Sequence, residues 1–502
     1  MAINSSNPSE IGVQPVPTRQ KMATGTIQVF LAEALLLPTG LLTAAYLTRQ
    51  LGPDRYGLLV LTTTIVGWIG WSITSAFTRT TIKFVGESED WPAVAAKVLQ
   101  LHLYLGLAAA IGLCLLAGPV VAALGEPDMA NYLRLFSLEI PLFCLSYAHR
   151  SVMVGLGQFK QRAIATASRW ITRMLLMVGL VAGGLSLWGA ILGSVGSALV
   201  ELLVCRWFLP APFVSPVRFP IRKLLGYALP LFLLAISMRL YEKLDLFMLK
   251  LLGGTAAEAG FYGTAQSLAI IPSLFTLSFV PLLLATLTRL LSNGELVSAQ
   301  HLSRDSMRFV LLLLPVAGLC AGSASEIIRL LFSSTFLPAA PLLAVLIFGS
   351  IATLMVAVTT CILTAAGKPN WTIVLAGPMV PLAMLAHWWF IPRFGSAGAA
   401  AVTTVVATLG AVAGVCTIYY LWRVLPPFAS LIRSMLVCGV VYQIALLWDT
   451  PGWWVILKLT LLGVLLVPGL LLLGEFSDRE KAMVRSWVET TINPLLKRYR
   501  PS

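Results

Sequence analysis

Arg239, Glu242 and Lys243 stand at i, i+3 and i+4, with Asp245 two residues further on. On a helix the first three share one face, and Asp245 falls about 60° to its side. Two cations so placed can hold phosphate oxygens, Arg239 as a flat fork and Lys243 as a point charge. The same four charges can instead pair with one another and merely hold their helix. Arg150, next to His149, can line an interior cavity or reach outward to lipid headgroups. Arg79 is a third candidate for an incoming anion, although taken alone it reads as an interface anchor; Arg169 and Arg173 read the same way. Glu33 has no charged neighbour at i+3 or i+4, and an acid buried in that way can carry a proton or sit hydrogen-bonded at a helix contact. Asp245 is the weaker coupling candidate, because its cationic neighbours favour the ionised form. Glu139 and Glu201 read as structural. Trp68 and Trp71 can stack on sugar rings, whereas Trp388, Trp389, Trp453 and Trp454 fit an interfacial aromatic belt. His102, His149, His301 and His387 are too scattered for a metal site, and none is expected.

These residues lie in an apolar chain. Of 502 residues, 58% are hydrophobic and only 11% charged, against roughly 25% charged in soluble domains; mean hydropathy is +0.86. A span needs about 20 residues, and the chain divides into about fourteen such runs, without the alternation of a transmembrane β-strand. The predicted fold is therefore an all-α integral membrane protein of about fourteen transmembrane helices. Residues also recur in order after about 201 to 210 positions: Leu51-Gly52 with Tyr56-Gly57 returns as Leu252-Gly253 with Tyr262-Gly263, Gly157 as Gly367, and Gly189-Ala190 as Gly398-Ala399. Such repeats are common in carriers, whose two similar halves rock about a central site. The expected organisation is a tail over 1–25, a six-helix bundle over 26–208, a linker over 209–223, a second six-helix bundle over 224–422, helices 13 and 14 over 423–474, and a tail over 475–502. Two pseudo-symmetric bundles would thus enclose a central cavity. Pro272 and Pro281 should bend the eighth span, and Ser323, Ser325, Glu326 and Arg329 make the ninth the weakest.

Charge sets the orientation. With the amino terminus in the cytoplasm, about 25 of the 35 lysines and arginines fall on inner loops and tails, as the positive-inside rule requires. Both termini are then cytoplasmic, and Arg218, Arg222 and Lys223 mark an inner linker. Anionic headgroups meeting these basic residues account for the net charge of +14, so no nucleic-acid partner is needed. The long first apolar run favours an uncleaved helix over a secretory signal. Seven cysteines without close pairs suggest neither a disulfide framework nor zinc.

The segment Tyr46-Leu47-Thr48-Arg49-Gln50-Leu51-Gly52-Pro53-Asp54-Arg55-Tyr56-Gly57-Leu58 resembles the first inter-helix loop of the Wzx-type polysaccharide and O-antigen flippases. These are oligosaccharide flippases of the superfamily that also holds lipid II flippases and multidrug and toxin extrusion (MATE) carriers. The polar end of the second span from Ser75 to Arg79 is similar to its counterpart there. So are Asp245 followed by Leu246-Phe247-Met248-Leu249, Gly253 and Gly260-Phe261-Tyr262, and so is Gly395-Ser396-Ala397-Gly398-Ala399-Ala400-Ala401. The resemblance runs over about 20–425 and continues weakly to the end; it rests on the order of the motifs rather than on any one.

It implies a carrier that moves a polyprenyl-diphosphate-linked oligosaccharide to the far leaflet of the cytoplasmic (inner) membrane for surface or exported polysaccharide such as O-antigen. A polymerase and glycosyltransferases would be partners. No cofactor is implied, and an ion gradient or membrane potential would supply the drive, since no Gly-rich Lys-Ser/Thr nucleotide loop is present. The head is anionic and polar, so about 30 Å of hydrocarbon bars it unless the cavity replaces water with cations and hydrogen bonds. A MATE-like exporter of small cations is the alternative; it would need an acidic cavity, whereas Arg150, Arg239 and Lys243 make this one basic. A membrane polymerase or glycosyltransferase fits less well, because no connection much exceeds about 21 residues and such enzymes carry larger aqueous-facing loops.

Overall fold

The computed structural model describes residues 28–213, 243–368 and 370–476, and among these every regular element is a helix. Among the described residues, eight continuous helical runs are long and apolar enough to cross a membrane. Three are far too long for one crossing: Gln28–Glu87, Phe159–Phe208 and Asn370–Trp422 hold 60, 50 and 53 residues, about 75 to 90 Å at 1.5 Å per residue against about 30 Å of hydrocarbon. Each contains a kink where two helices meet. The first turns at Gly52 (φ 73°), followed by Pro53; the second at Gly184 (φ 88°) and Ser186; the third at Gly395 (φ 55°). A left-handed φ is open to glycine at little cost, and the proline removes one amide donor, so the chain breaks there rather than in the apolar interiors.

In chain order the helices are α1 (Leu36–Glu87), α2 (Trp91–Ala123), α3 (Met129–Ser137), α4 (Glu139–Gly155), α5 (Phe159–Leu180) and α6 (Ser186–Phe208). Then follow α7 (243–251), α8 (Ala256–Ala269), α9 (Phe275–Ser292), α10 (Leu296–Leu311), α11 (Leu314–Gly322) and α12 (Ala324–Leu331). The last are α13 (Ala339–Ala365), α14 (Asn370–Ala376), α15 (Met379–Trp422), α16 (Phe428–Leu447) and α17 (Trp454–Leu472). The eighth span breaks at Pro272, where a 3-10 turn over Ile271–Leu274 separates α8 from α9, whereas Pro281 lies inside α9 without interrupting it. The ninth ends early, at Ser323 between α11 and α12.

Packing divides the chain into two compact units interleaved in sequence. Among the described residues, one holds 28–213, 243–268, Leu331–Leu342 and Ala376–Val406; the other holds Ala269–Leu330, 343–368, 370–375 and 407–476. In the first, Val94, Val98, Leu99, Leu145, Val152 and Met153 form one core cluster, and Leu244, Met379, Ala383, Val402 and Val406 fix α7 against α15. Glycine lets backbones touch here: a Cβ on Gly57 would lie 1.7 Å from the Ala256 carbonyl oxygen. Close approach over small residues is how helices associate in lipid, where apolar burial between them gains little.

The second unit has a core around Leu287, Met307, Ile351, Leu354, Val358 and Ile418. Gly318 and Gly322 of α11 let α16 approach so closely that a Cβ at either would overlap Cys438 or Tyr442. Polar clamps hold the α16–α17 hairpin at both ends. At the turn, Lys458 Nζ donates to Glu326 Oε2 (2.5 Å) and to the carbonyls of Ala445 and Trp448 (2.6 Å each). At the chain-terminal end, Glu475 accepts from Arg308 Nε (2.8 Å), Ser430 Oγ (2.5 Å) and Arg433 Nη1 (3.2 Å). Leu436, Val440, Leu447, Leu461 and Val464 stay exposed, as expected of a surface facing hydrocarbon.

Candidate functional site

Two constellations of ionisable residues occupy the first unit. Asp245 projects from α7 and is 4% exposed. Its Oδ2 accepts from Tyr262 Oη (2.7 Å) and Gln266 Nε2 (3.2 Å) of α8, with Thr403 Oγ1 of α15 at 3.5 Å; its Oδ1 accepts from the Leu246 amide (2.8 Å). Gln266 also takes a bond from Lys243 Nζ (3.0 Å), so it bridges the lysine and the aspartate. His387 on α15 is 1% exposed, and its Nδ1 has no hydrogen-bond partner among the described residues. Lys243 and Asp245 thus meet through an intervening amide. Arg239 and Glu242 lie outside the described residues, as does the linker with Arg218, Arg222 and Lys223.

The second constellation joins α4, α5 and α6. Arg169 of α5 donates from Nη1 to Glu201 Oε2 (2.8 Å) on α6 and from Nη2 to Glu139 Oε1 (2.8 Å) on α4. Arg150 of α4 lies with Nε 3.3 Å from Glu201 Oε1 and donates from Nη1 to Thr166 Oγ1 (3.1 Å) of α5. All four charged groups are buried. Arg162, nearer the start of α5, stands 3.4 Å from Glu33, and both are partly exposed. Aromatic rings cover the guanidinium faces: Arg150 sits 4.6 Å from the Tyr147 ring centroid and Arg169 4.7 Å from that of Phe143. Trp71 packs edge-on against both rings (5.4 and 5.3 Å) while keeping 36% of its own surface open. Cation–π contacts of this kind strengthen when water is excluded. The assembly sets paired guanidinium groups beside a partly exposed aromatic ring.

Several sequence expectations change on this geometry. Glu33 is half-buried with Arg162 as its partner, not an isolated acid, because the partner lies 129 positions away on another helix. Arg150 neither reaches outward nor lines an open cavity; it is 6% exposed between Glu201 and Thr166. Arg169 is 5% exposed and central to the network, so it is no headgroup anchor. Glu139 and Glu201, read from sequence as merely structural, are the counter-ions of these arginines. Trp68 packs on Phe247 of α7 at 6.4 Å, and its Nε1 is buried without a partner. Arg79 is exposed and joins neither constellation.

The described residues include no group of three His, Cys, Asp or Glu able to hold a metal ion, and all seven cysteines are free. A cavity of about 520 Å³ lies elsewhere in the same unit, among helix-end turns, lined by Asp54, Glu126, Asp128, Lys250 and Thr255. Lys250 bonds Glu126 at 2.7 Å there.

A family described as "Polysaccharide biosynthesis protein" matches residues 22–287. The succinoglycan biosynthesis transport protein ExoT of Rhizobium meliloti (strain 1021) is 28% identical over 164 residues, which is 32% of each chain; the match therefore spans about a third of that relative's length. The fold is similar to an inward closed conformation of the lipid II flippase MurJ, with TM-score 0.72 and 15% identity over 88% of this chain and 97% of that one. It is also similar to an inward-facing MATE-family multidrug resistance transporter of the MOP superfamily, with TM-score 0.65 and 13% identity over 84% and 99%. At such identities these two likenesses concern the fold alone.

Proposed function

The chain belongs to the polysaccharide biosynthesis protein family, as a multi-pass membrane transporter and not an enzyme, and from that premise we propose that it flips a polyprenyl-diphosphate-linked oligosaccharide across the cytoplasmic membrane. The observation that carries this reading is the network of Arg150, Arg162 and Arg169 beside the exposed Trp71 plate. Guanidinium groups match diphosphate oxygens, and a partly exposed indole suits a sugar ring. The relative described as a succinoglycan transport protein supports the reading, and the fold shared with the lipid II flippase is compatible with it.

In this proposal the two six-helix halves alternate access about the polar interior while the lipid tail stays in the bilayer. Both termini lie in the cytoplasm, where anionic lipids meet the basic loops. Asp245 is the ion-coupling acid: three side-chain donors from α8 and α15 converge on one of its oxygens, so a change in its charge reorders three helices at once. An ion gradient or membrane potential supplies the drive. Lys243, together with Arg239, offers further cations to the diphosphate, and Arg79 meets it on entry. A polymerase and glycosyltransferases use and supply the glycan.

The test is deletion of the gene in its native host, with radiolabelled sugar precursors followed through lipid extracts. Lipid-linked oligosaccharide should accumulate while surface or secreted polysaccharide falls, and the intact gene should restore both. Unchanged polysaccharide with increased sensitivity to cationic drugs would contradict the proposal.

A further inference from the structure

Arg162, Thr166, Arg169 and Arg173 occupy i, i+4, i+7 and i+11 of α5, a spacing that keeps all four on one helical face over about 16 Å of rise. Each level has a polar partner from another helix. Arg162 faces Glu33 of the first span, Thr166 receives Arg150 of α4, Arg169 joins Glu201 and Glu139, and Arg173 lies within electrostatic reach of Glu139 and Tyr56. Four arginines stand against three glutamates, so the face keeps one positive charge in excess. Such an array is costly in a membrane interior, and intramembrane charge lines substrate or ion paths more often than it serves packing.

The pairing is also incomplete. Arg169 spreads its two terminal nitrogens over two carboxylates and does not fork onto one. Its Nε and Glu139 Oε2 are buried without a hydrogen-bond partner among the described residues, while Arg150 Nε and Glu201 Oε1 face each other at 3.3 Å as an ion pair. Buried polar groups are normally satisfied, so the Arg169 Nε marks one donor that a further acceptor can take.

We propose that this arginine face is a counter-ion ladder for a diphosphate. Glu33, Glu139 and Glu201 hold the guanidinium groups while the site is empty, and the diphosphate oxygens replace the carboxylates rung by rung as the head passes from Arg162 toward Arg173. The exchange keeps each guanidinium paired throughout, at the cost of releasing one carboxylate at a time. The inference deepens the flippase reading and rests on it. Glu139 and Glu201 are then positioning residues that compete with substrate, a role that simple packing would not give them.

The test uses the purified full-length chain in lipid nanodiscs, with farnesyl diphosphate, farnesyl monophosphate and inorganic pyrophosphate as probes and tryptophan emission as readout. Trp170 lies 5.9 Å from Arg169. Removing a competitor should tighten binding, so Glu139→Gln and Glu201→Gln should bind farnesyl diphosphate about tenfold more tightly than wild type. Arg162→Gln and Arg173→Gln should bind it about tenfold more weakly, the scale of one charge-assisted contact. Should Glu201→Gln fail to fold, Glu139→Gln and the two less buried arginine variants carry the test. The ladder is overturned if folded glutamate variants bind no more tightly than wild type, or if both arginine variants bind as wild type does while wild type still flips lipid-linked glycan; the flippase reading then survives alone. Equal affinity for inorganic pyrophosphate and the farnesyl ester would keep the ladder and count against a lipid-borne substrate. Wild type that binds neither diphosphate overturns both.

Discussion

Replacing Lys458 by methionine should loosen the α16–α17 hairpin far more than replacing Lys458 and Glu326 together. Lys458 is 1% exposed, and its ammonium makes three bonds of 2.5 to 2.6 Å, to Glu326 Oε2 and to the carbonyls of Ala445 and Trp448. Glu326 is 5% exposed and keeps Thr450, through its amide (2.6 Å) and hydroxyl (3.2 Å), on its other oxygen. Methionine fills the volume but strips a buried carboxylate of its cation, a loss of about 3–5 kcal/mol for a broken buried pair. Adding Glu326→Gln removes that stranded charge and keeps an acceptor for Thr450. What remains unpaired is two carbonyls, at about 1–3 kcal/mol each before other donors are found. The double variant should therefore recover about 1–3 kcal/mol of what the single one loses, a coupling of the size seen between contacting residues. Reversible unfolding of the full chain in mixed micelles, run as a double-variant cycle, measures it. Additive losses, or a single variant as stable as wild type, would refute the clamp.

Other consequences can be checked in the same preparations. Gly57→Leu should abolish transport and lower folded yield, because its first side-chain atom would overlap the Ala256 carbonyl; a normal yield with normal transport would contradict the close crossing. Tyr262→Phe removes one hydrogen bond to the Asp245 carboxylate and should cost about 1.5–3 kcal/mol of stability, while Asp245→Asn should stop ion-coupled transport at a near-normal protein level. Burial pushes the Glu475 carboxyl up, but hydrogen bonds from Ser430, Arg308 and Arg433 outweigh it and hold the group below its ordinary range. A depressed carboxyl stabilises the fold above its unfolded value of about 4.3 and loses that contribution as pH falls through the lower folded value. The stability gap between wild type and Glu475→Gln should therefore be full near neutral pH and close in that acid window; a gap independent of pH would contradict it.

Much of the architecture was legible because lipid imposes simple rules. Span length, polarity and glycine position mark the helices and their turns, so Pro272 and Gly395 can be read directly as breaks. The repeated glycines acquire matching physical roles: Gly52 and Gly253 both take positive φ, as do Gly157 and Gly367, while Gly189 and Gly398 both follow a kink and press on the preceding helix. Ionic partnerships were not legible. Arg162 and Glu33 are 129 residues apart, and Lys458 and Glu326 are 132 apart; no local period connects such positions, so Glu33 looked solitary and Glu326 looked like a flaw in the ninth span. Arg169 and Arg173 of α5 read as headgroup anchors, the simpler explanation for charge near a presumed cytoplasmic helix end. Only the placement of Glu139 and Glu201 opposite Arg169 overturns that reading there.

The most direct measurement is flipping in proteoliposomes that hold the purified chain and a fluorescent polyprenyl-diphosphate oligosaccharide, with the sugar in the outer leaflet exposed to an impermeant oxidant. Without protein about half of the label should be accessible; with it, nearly all should become so within minutes, and Arg169→Gln should slow the process at least tenfold. Label accessibility that never rises above the protein-free level, in vesicles where the same preparation moves a small cation, would contradict the account.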